Sequence, residues 1–288
     1  MRKIESVYVP HETHWVGNGF RVHNFIPSGF GLDMKRMDPF ILLDYNAKMS
    51  VSPSDTARGV GAHPHRGFET VTIAYEGKVE HHDSFGDGGI IGTGDVQWMS
   101  AASGVLHKEF YESGFNKTGG DFCMVQLWVN LASEFKMSEP KYQAIANDKM
   151  GVYDLGGGGR IEVIAGEYEG VNGAARTYSP VHLMNAKLQS GQSTEFSFEE
   201  HFNTALLIIK GAVVVNESEI VPQDNLALFE NNGTDFSIRA LEDSMVLVMS
   251  GEPLNEPIVH YGPFVMNTKE ELNQAFIDFE SGKFGHLE

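Results

Sequence analysis

Five side chains in two short segments have the types and spacing of a metal site. In GAHPHRGFETVTIAYEG, His63, His65 and Glu69 share one parity, so an extended strand would aim all three at the same face. In GDVQWMSAASGVLHKEF, His107 and Glu109 are again two apart, and Gly104 offers a turn just before the strand that carries them. Two such strands deliver imidazoles and carboxylates to one point. That donor set suits Fe(II), Mn, Ni, Cu, Co or Zn without choosing among them, and four protein ligands on a six-coordinate ion leave two positions for water, substrate or dioxygen. A lone H-x-H is a weak signal, since strand histidines are often hydrogen-bonded or exposed. The second pair, H-x-E on its own turn-bounded strand, makes a metal the expected reading.

The remaining histidines read as ordinary. His11 and His14 in PHETHW lack H-E-x-x-H spacing and no helix is indicated there. His81 and His82 are adjacent, so on a strand they point to opposite faces, and with Asp83 before the turn SFGDGG they read as a solvated hairpin end. His182, His201, His260 and His286 have no companion at ligand spacing. Trp98, Met99, Gln126 and Trp128 fall on strands near the expected site, where core packing is as good a reading as cavity lining. There is no P-loop, C-x-x-C or nucleophile motif to anchor a kinase, zinc-finger or hydrolase reading.

The elements that must position these residues are strands. Turn-bounded runs such as ETVTIAY, FCMVQLWV, RIEVIAG, TALLIIK and SMVLVMSG predict an all-β sandwich or barrel. One helix is expected near the C-terminus, in TKEELNQAFIDFESGKFG, with Thr268 and Glu271 as a capping box and Leu272, Ala275, Phe276 and Phe279 on an apolar face. The segment from Met137 to Gly159 is the least strand-like and the best linker, so two domains are expected, 1–145 and 146–288. Gly156 to Gly159 read as a turn.

The halves also resemble a degenerate repeat. Aligning Gly77 with Gly211 and Asp95 with Asp224 sets Ser197, Glu199 and Asn203 opposite His63, His65 and Glu69. The same alignment sets Phe236 and Ile238 opposite His107 and Glu109. On that alignment the second half keeps a barrel and lacks the ligands.

Composition narrows the class. A chain of 288 residues is long enough for two cores, and no apolar run approaches the roughly 20 residues that span a bilayer. The 39 acidic against 21 basic residues give a net charge of −18, which repels a phosphate backbone, so no direct nucleic-acid partner is expected. The start MRKIESVYVP has no secretory apolar core, and the single Cys123 has no intrachain partner. Both point to a cytoplasmic protein in a reducing compartment; a monomer is expected.

The segments HPHRGFETVT, GDVQWM with a following SG-x-x-H-x-E, QLWVN, and GEPLNEPIVHYGPFVMNTKEE closely resemble the pirin family of the cupin superfamily. The likeness runs along most of the chain. It implies two stacked jelly-roll β-barrels with a short C-terminal helix, the N-terminal barrel holding one iron through three histidines and a glutamate. Those ligands fall on His63, His65, His107 and Glu109. The general cupin pattern would use Glu69 as the acidic ligand; the pirin pattern uses Glu109 and leaves Glu69 as an interior or supporting group. The resemblance implies either ring-opening of a flavonol such as quercetin by a 2,3-dioxygenase, with Glu109 as ligand and base, or a metal-dependent regulatory protein that contacts a protein partner.

Overall fold

The protein is described from a computed structural model, over residues 1–27 and 32–287. It divides into two compact units. One comprises Glu12–Lys35, Pro39–Asn147 and Leu254–Glu288; the other comprises Met1–His11, Arg36–Asp38 and Asp148–Pro253. Each unit thus takes a segment from the far end of the sequence.

The first unit is built from two antiparallel sheets. The larger has seven strands, in the order Lys141–Ile145, Val96–Ser100, Phe68–Glu76, Gly120–Asn130, Phe40–Val51, Phe20–Ile26 and His14–Val16. The smaller has four: Gly59–His65, Val105–Tyr111, Val79–Asp83 and Gly88–Ile91. Phe20, Val22, Phe122 and Met124 from the larger sheet pack with Val79, Ile91 and Tyr111 from the smaller, so one apolar cluster lies between the two. The smaller sheet alternates buried and partly exposed side chains, as in Val105–Tyr111, whereas Phe68–Tyr75 and Val96–Ser100 of the larger sheet are buried at every position.

The C-terminal segment belongs to this barrel unit. Its helix, Lys269–Glu280, opens on the expected capping box of Thr268 and Glu271 and buries Leu272 and Ala275. The apolar face is narrower than the sequence suggests: Phe279 stays 37% exposed, while Asp278 is buried in an ion pair with Arg66 at 2.9 Å. Two glycines let this segment approach. A Cβ at Gly67 (φ +92°) would fall 1.9 Å from the Val265 carbonyl oxygen, and one at Gly104 (φ +128°) would fall 2.4 Å from the Phe284 ring.

The second unit repeats the plan, with a seven-stranded sheet from Ile4–Tyr8 to Gly151–Gly156 and a four-stranded sheet. The expected linker needs correcting, because Lys141–Ile145 and Gly151–Gly156 are both strands. Each lies at the edge of its seven-stranded sheet. Edge strands pair on one side only and tolerate sequences without the β-branched signature of a central strand. Gly156, Gly157 and Gly158 all have positive φ and turn the chain into Gly159–Ala165.

Candidate metal centre

The strands Gly59–His65 and Val105–Tyr111 are neighbours, with His107 opposite His63 and Val105 opposite His65. A two-residue period on both therefore turns three imidazoles to one side. Ring centroids are 4.8 Å apart for His63 and His65, 4.2 Å for His63 and His107, and 4.7 Å for His65 and His107. One potential ligand atom from each of these residues lies within 4.8 Å of the others. His65 and His107 are buried and His63 is half-buried.

Second contacts fix the rings. His63 Nδ1 lies 2.9 Å from the Gly61 carbonyl, to which it can donate, leaving Nε2 as a lone pair. The His65 ring bonds the backbone of Pro263, so the C-terminal segment touches a candidate ligand directly. Burial, with the neighbouring imidazoles adding to it, holds His65 and His107 well below the ordinary histidine range. Both rings are then neutral at neutral pH, the form a metal ligand needs.

Glu109 is buried on the strand of His107, and two neighbours hold its oxygens: Gln126 Nε2 donates to Oε2 at 2.9 Å and Thr72 Oγ1 to Oε1 at 3.2 Å. Its donor atom groups with His81 and His107, whereas His63, His65 and His107 form a separate group. The two groups share His107. Between His63, Glu109, Asp44, Gln126, Phe20 and Met124 lies a cavity of about 20 Å³. That is room for one water-sized molecule. Burial raises the Asp44 carboxyl above its ordinary range, opposed by a hydrogen bond from Asn24 at 2.7 Å.

Glu69 lies elsewhere. The strand of His65 ends before Arg66 and Gly67, and a new one starts at Phe68, so counting parity from His65 to Glu69 fails. On the second strand Phe68 and Thr72 face the site: Phe68 packs on His65 at 5.1 Å and Thr72 reaches Glu109. Glu69 takes the opposite face, where Ser100 Oγ donates to its Oε1 at 2.5 Å. Burial pushes its carboxyl up to about 7, against the lowering effect of Ser100. It is neither a ligand nor a direct neighbour of the ligands in this geometry. Gln126 and Trp128 do face the centre, Trp128 packing against His65 at 5.1 Å.

His81 also requires correction. His82 is exposed, but His81 and Asp83 are buried, and His81 Nδ1 approaches His107 Nδ1 at 3.3 Å. The hairpin-end reading described His82 and missed its neighbour. Val79-x-His81-x-Asp83 with three buried alternate residues is the signal that would have found it.

These residues fit a bound metal. Among the buried polar atoms without a hydrogen-bond partner are His65 Nδ1 and His107 Nε2, and a buried imidazole nitrogen left unpaired is costly unless something coordinates it. Neutral imidazoles and a carboxylate form a donor set for divalent transition metals.

Two β-barrel units with a histidine-rich interior in one of them define a two-domain cupin. Family models agree: Pirin matches residues 19–129 and Pirin C-terminal cupin domain matches residues 183–285. A Pseudomonas aeruginosa protein named "Putative quercetin 2,3-dioxygenase PA2418" is 44% identical over 287 residues, covering 99% of each chain. Pirin-like protein 2 of Arabidopsis thaliana is 36% identical over 88% of this chain and 77% of its own. The crystal structure of a quercetin 2,3-dioxygenase from Acinetobacter baumannii superposes with a TM-score of 0.94 at 48% identity, covering 100% of both chains. The chain belongs to the pirin family.

Proposed function

We propose that the chain is a mononuclear iron oxygenase of the quercetin 2,3-dioxygenase type, acting on a flavonol or similar enol, with His63, His65, His107 and Glu109 as its ligands. One observation carries this reading: three imidazoles converge in one barrel interior, those of His65 and His107 each with a buried unpaired ring nitrogen, beside a buried carboxylate. The names of the similar Pseudomonas and Acinetobacter proteins support the substrate class. When bound, Fe(II) would supply Lewis acidity and open positions for an enolate and dioxygen.

The chain's own residues do the rest. Glu109 shares the cavity with His63 and is the group placed to accept the proton of an enol hydroxyl, while Gln126 and Thr72 keep its oxygens oriented. A three-ring flavonol exceeds the cavity of about 20 Å³, so its entry requires lining side chains, such as the part-exposed Val16 and Val60, to move aside. The test is anaerobic loading with Fe(II), then quercetin and dioxygen. Oxygen uptake with release of carbon monoxide is expected; neither occurring would contradict the enzyme reading.

The small cavity favours a second reading, a metal-dependent regulatory protein without turnover. Capture of a protein partner by the Fe(III) form and not the Fe(II) form, in protein inert toward quercetin, would select it. Either role suits a cytoplasmic monomer with its one cysteine buried.

A further inference from the structure

His107 differs from the other two candidate histidine ligands in what holds its second nitrogen. His63 and His65 each rest on backbone, at Gly61 and Pro263. His107 Nδ1 instead faces the ring of His81, Nδ1 to Nδ1 at 3.3 Å, with ring centroids 5.1 Å apart. We infer that His81 is a positioning residue for the metal centre: a neutral imidazole that accepts a hydrogen bond from His107 Nδ1–H, aims His107 Nε2 at the ion, and is itself held by Gln97 and the stacked Tyr142 ring. The inference rests on the metal reading given above and adds to it a residue outside the ligand set.

The proton inventory supports this. If His107 Nε2, which is buried and has no partner, is the ligand atom, the neutral ring carries its proton on Nδ1. That proton needs an acceptor, and His81 Nδ1 is the atom in front of it. Gln97 Nε2 lies 2.9 Å from the same His81 nitrogen and, as an amide N–H₂, can only donate; the two donors therefore share the single Nδ1 lone pair, with the His81 proton on Nε2. His81 Nε2 has no hydrogen-bond partner and points toward Asp83 Oδ2 at 3.9 Å. Asp83 is pinned in turn by the backbone N–H groups of Phe85 and Asp87, at 2.9 and 3.1 Å from its Oδ1.

Packing removes the other freedom. His81 is fully buried, and the Tyr142 ring stacks on it at 5.3 Å with 20° between planes. The strand Val79–Asp83 pairs with the strand of His107 such that His81 lies opposite Glu109. His81 therefore sits where it can orient one ligand without occupying the cavity. Metal-bound histidines commonly donate their second N–H to such a partner, and loss of that partner typically costs about 10- to 100-fold in metal affinity.

The test uses Co(II) as the probe, with the full-length protein and the variants His81→Leu, His81→Asn and His82→Leu. Affinity is read by competition with a chromophoric chelator, and ligand geometry by the visible Co(II) spectrum. His81→Leu is expected to weaken binding about 10- to 100-fold and to shift the spectrum. His81→Asn, which still offers an acceptor oxygen, should restore most of both, and the exposed His82→Leu should change neither. Wild-type affinity and spectrum in His81→Leu would overturn the proposal while leaving the metal reading intact. No Co(II) uptake by the wild type would overturn both.

Should His81→Leu fail to fold, the imidazole 15N spectrum of the Zn(II)-loaded wild type decides. The proposal requires His107 protonated on Nδ1 and His81 on Nε2; a proton on His81 Nδ1 would overturn it.

Discussion

The interiors of the two barrels are the same construction filled in opposite ways. In the first unit His107 pairs across the small sheet with His63; in the second Phe236 pairs with Phe196. Carrying that register along, Phe198 stands where His65 stands and Ile238 where Glu109 stands. All four belong to one buried apolar cluster with Phe229, Val213 and Val246. Phe236 stacks with Phe196 at 5.4 Å and lies 4.3 Å from Phe229. The aromatic filling removes apolar surface from water and leaves no donor group. The first barrel forgoes that stabilisation at the same positions and keeps imidazoles with unpaired nitrogens, which is the pattern of a site maintained for a ligand rather than for packing.

The largest effect that would break this comparison is at His107. His107→Ala should lower metal affinity on the order of a thousandfold, since one ligand carries several kcal/mol of a binding energy of about 10–16 kcal/mol. Elemental analysis after dialysis, and loss of the metal-induced rise in melting temperature, would show it. In the other barrel, Phe236→His should create no site and should cost about 3 kcal/mol in urea unfolding, by replacing a packed ring with an unpaired polar one. Metal uptake by that barrel would erase the contrast.

Arg66→Ala comes next. Arg66 lies beside His65, pairs with Asp278 and donates to the Ser103 carbonyl at 2.7 Å. Removing it takes one of three partners from the Asp278 carboxylate, which keeps Lys283 at 2.7 Å and Gln274 at 2.8 Å, and also the contact with the Phe284 ring, at a cost of about 3 kcal/mol. Hydrogen exchange should rise in Lys269–Glu280 before it rises in the sheets.

The smallest effect sharpens the assignment of the two glutamates. Glu69 titrates near 7 when folded, above its ordinary value of 4.5, because burial disfavours the ionised form. A raised carboxyl costs stability progressively as pH climbs from about 4.5 to 7, and the full cost persists above that. Glu69→Gln should thus come close to the wild type at pH 4.5 and exceed it at pH 8 by up to about 3 kcal/mol, with metal binding unchanged. A metal-binding defect in Glu69→Gln would return Glu69 to the ligand set.

Much of this was legible from spacing alone. Two H-x-[HE] pairs on separate strands needed only the two-residue period to bring His63, His65 and His107 together. What spacing could not show was where a strand stops. Arg66 and Gly67 interrupt the chain between His65 and Phe68 and reset the phase, which turned Glu69 away.

The same kind of slip shifted the internal repeat by one residue. From His65 to Gly77 is one residue shorter than from Phe198 to Gly211, so aligning the glycines put Ser197 and Glu199, both exposed, at the ligand positions. His81 was hidden by its exposed neighbour. The place of the C-terminal segment against the Arg66 and His65 region is a long-range contact that no local pattern encodes.

Metal stoichiometry tests the central claim most directly. Titrating the dialysed protein with Fe(II) under anaerobic conditions, alongside a His63→Ala/His65→Ala/His107→Ala variant of unchanged circular dichroism, should give one tightly bound ion per wild-type chain and none in the variant. A wild type that binds none, or a variant that still binds one, would contradict the account.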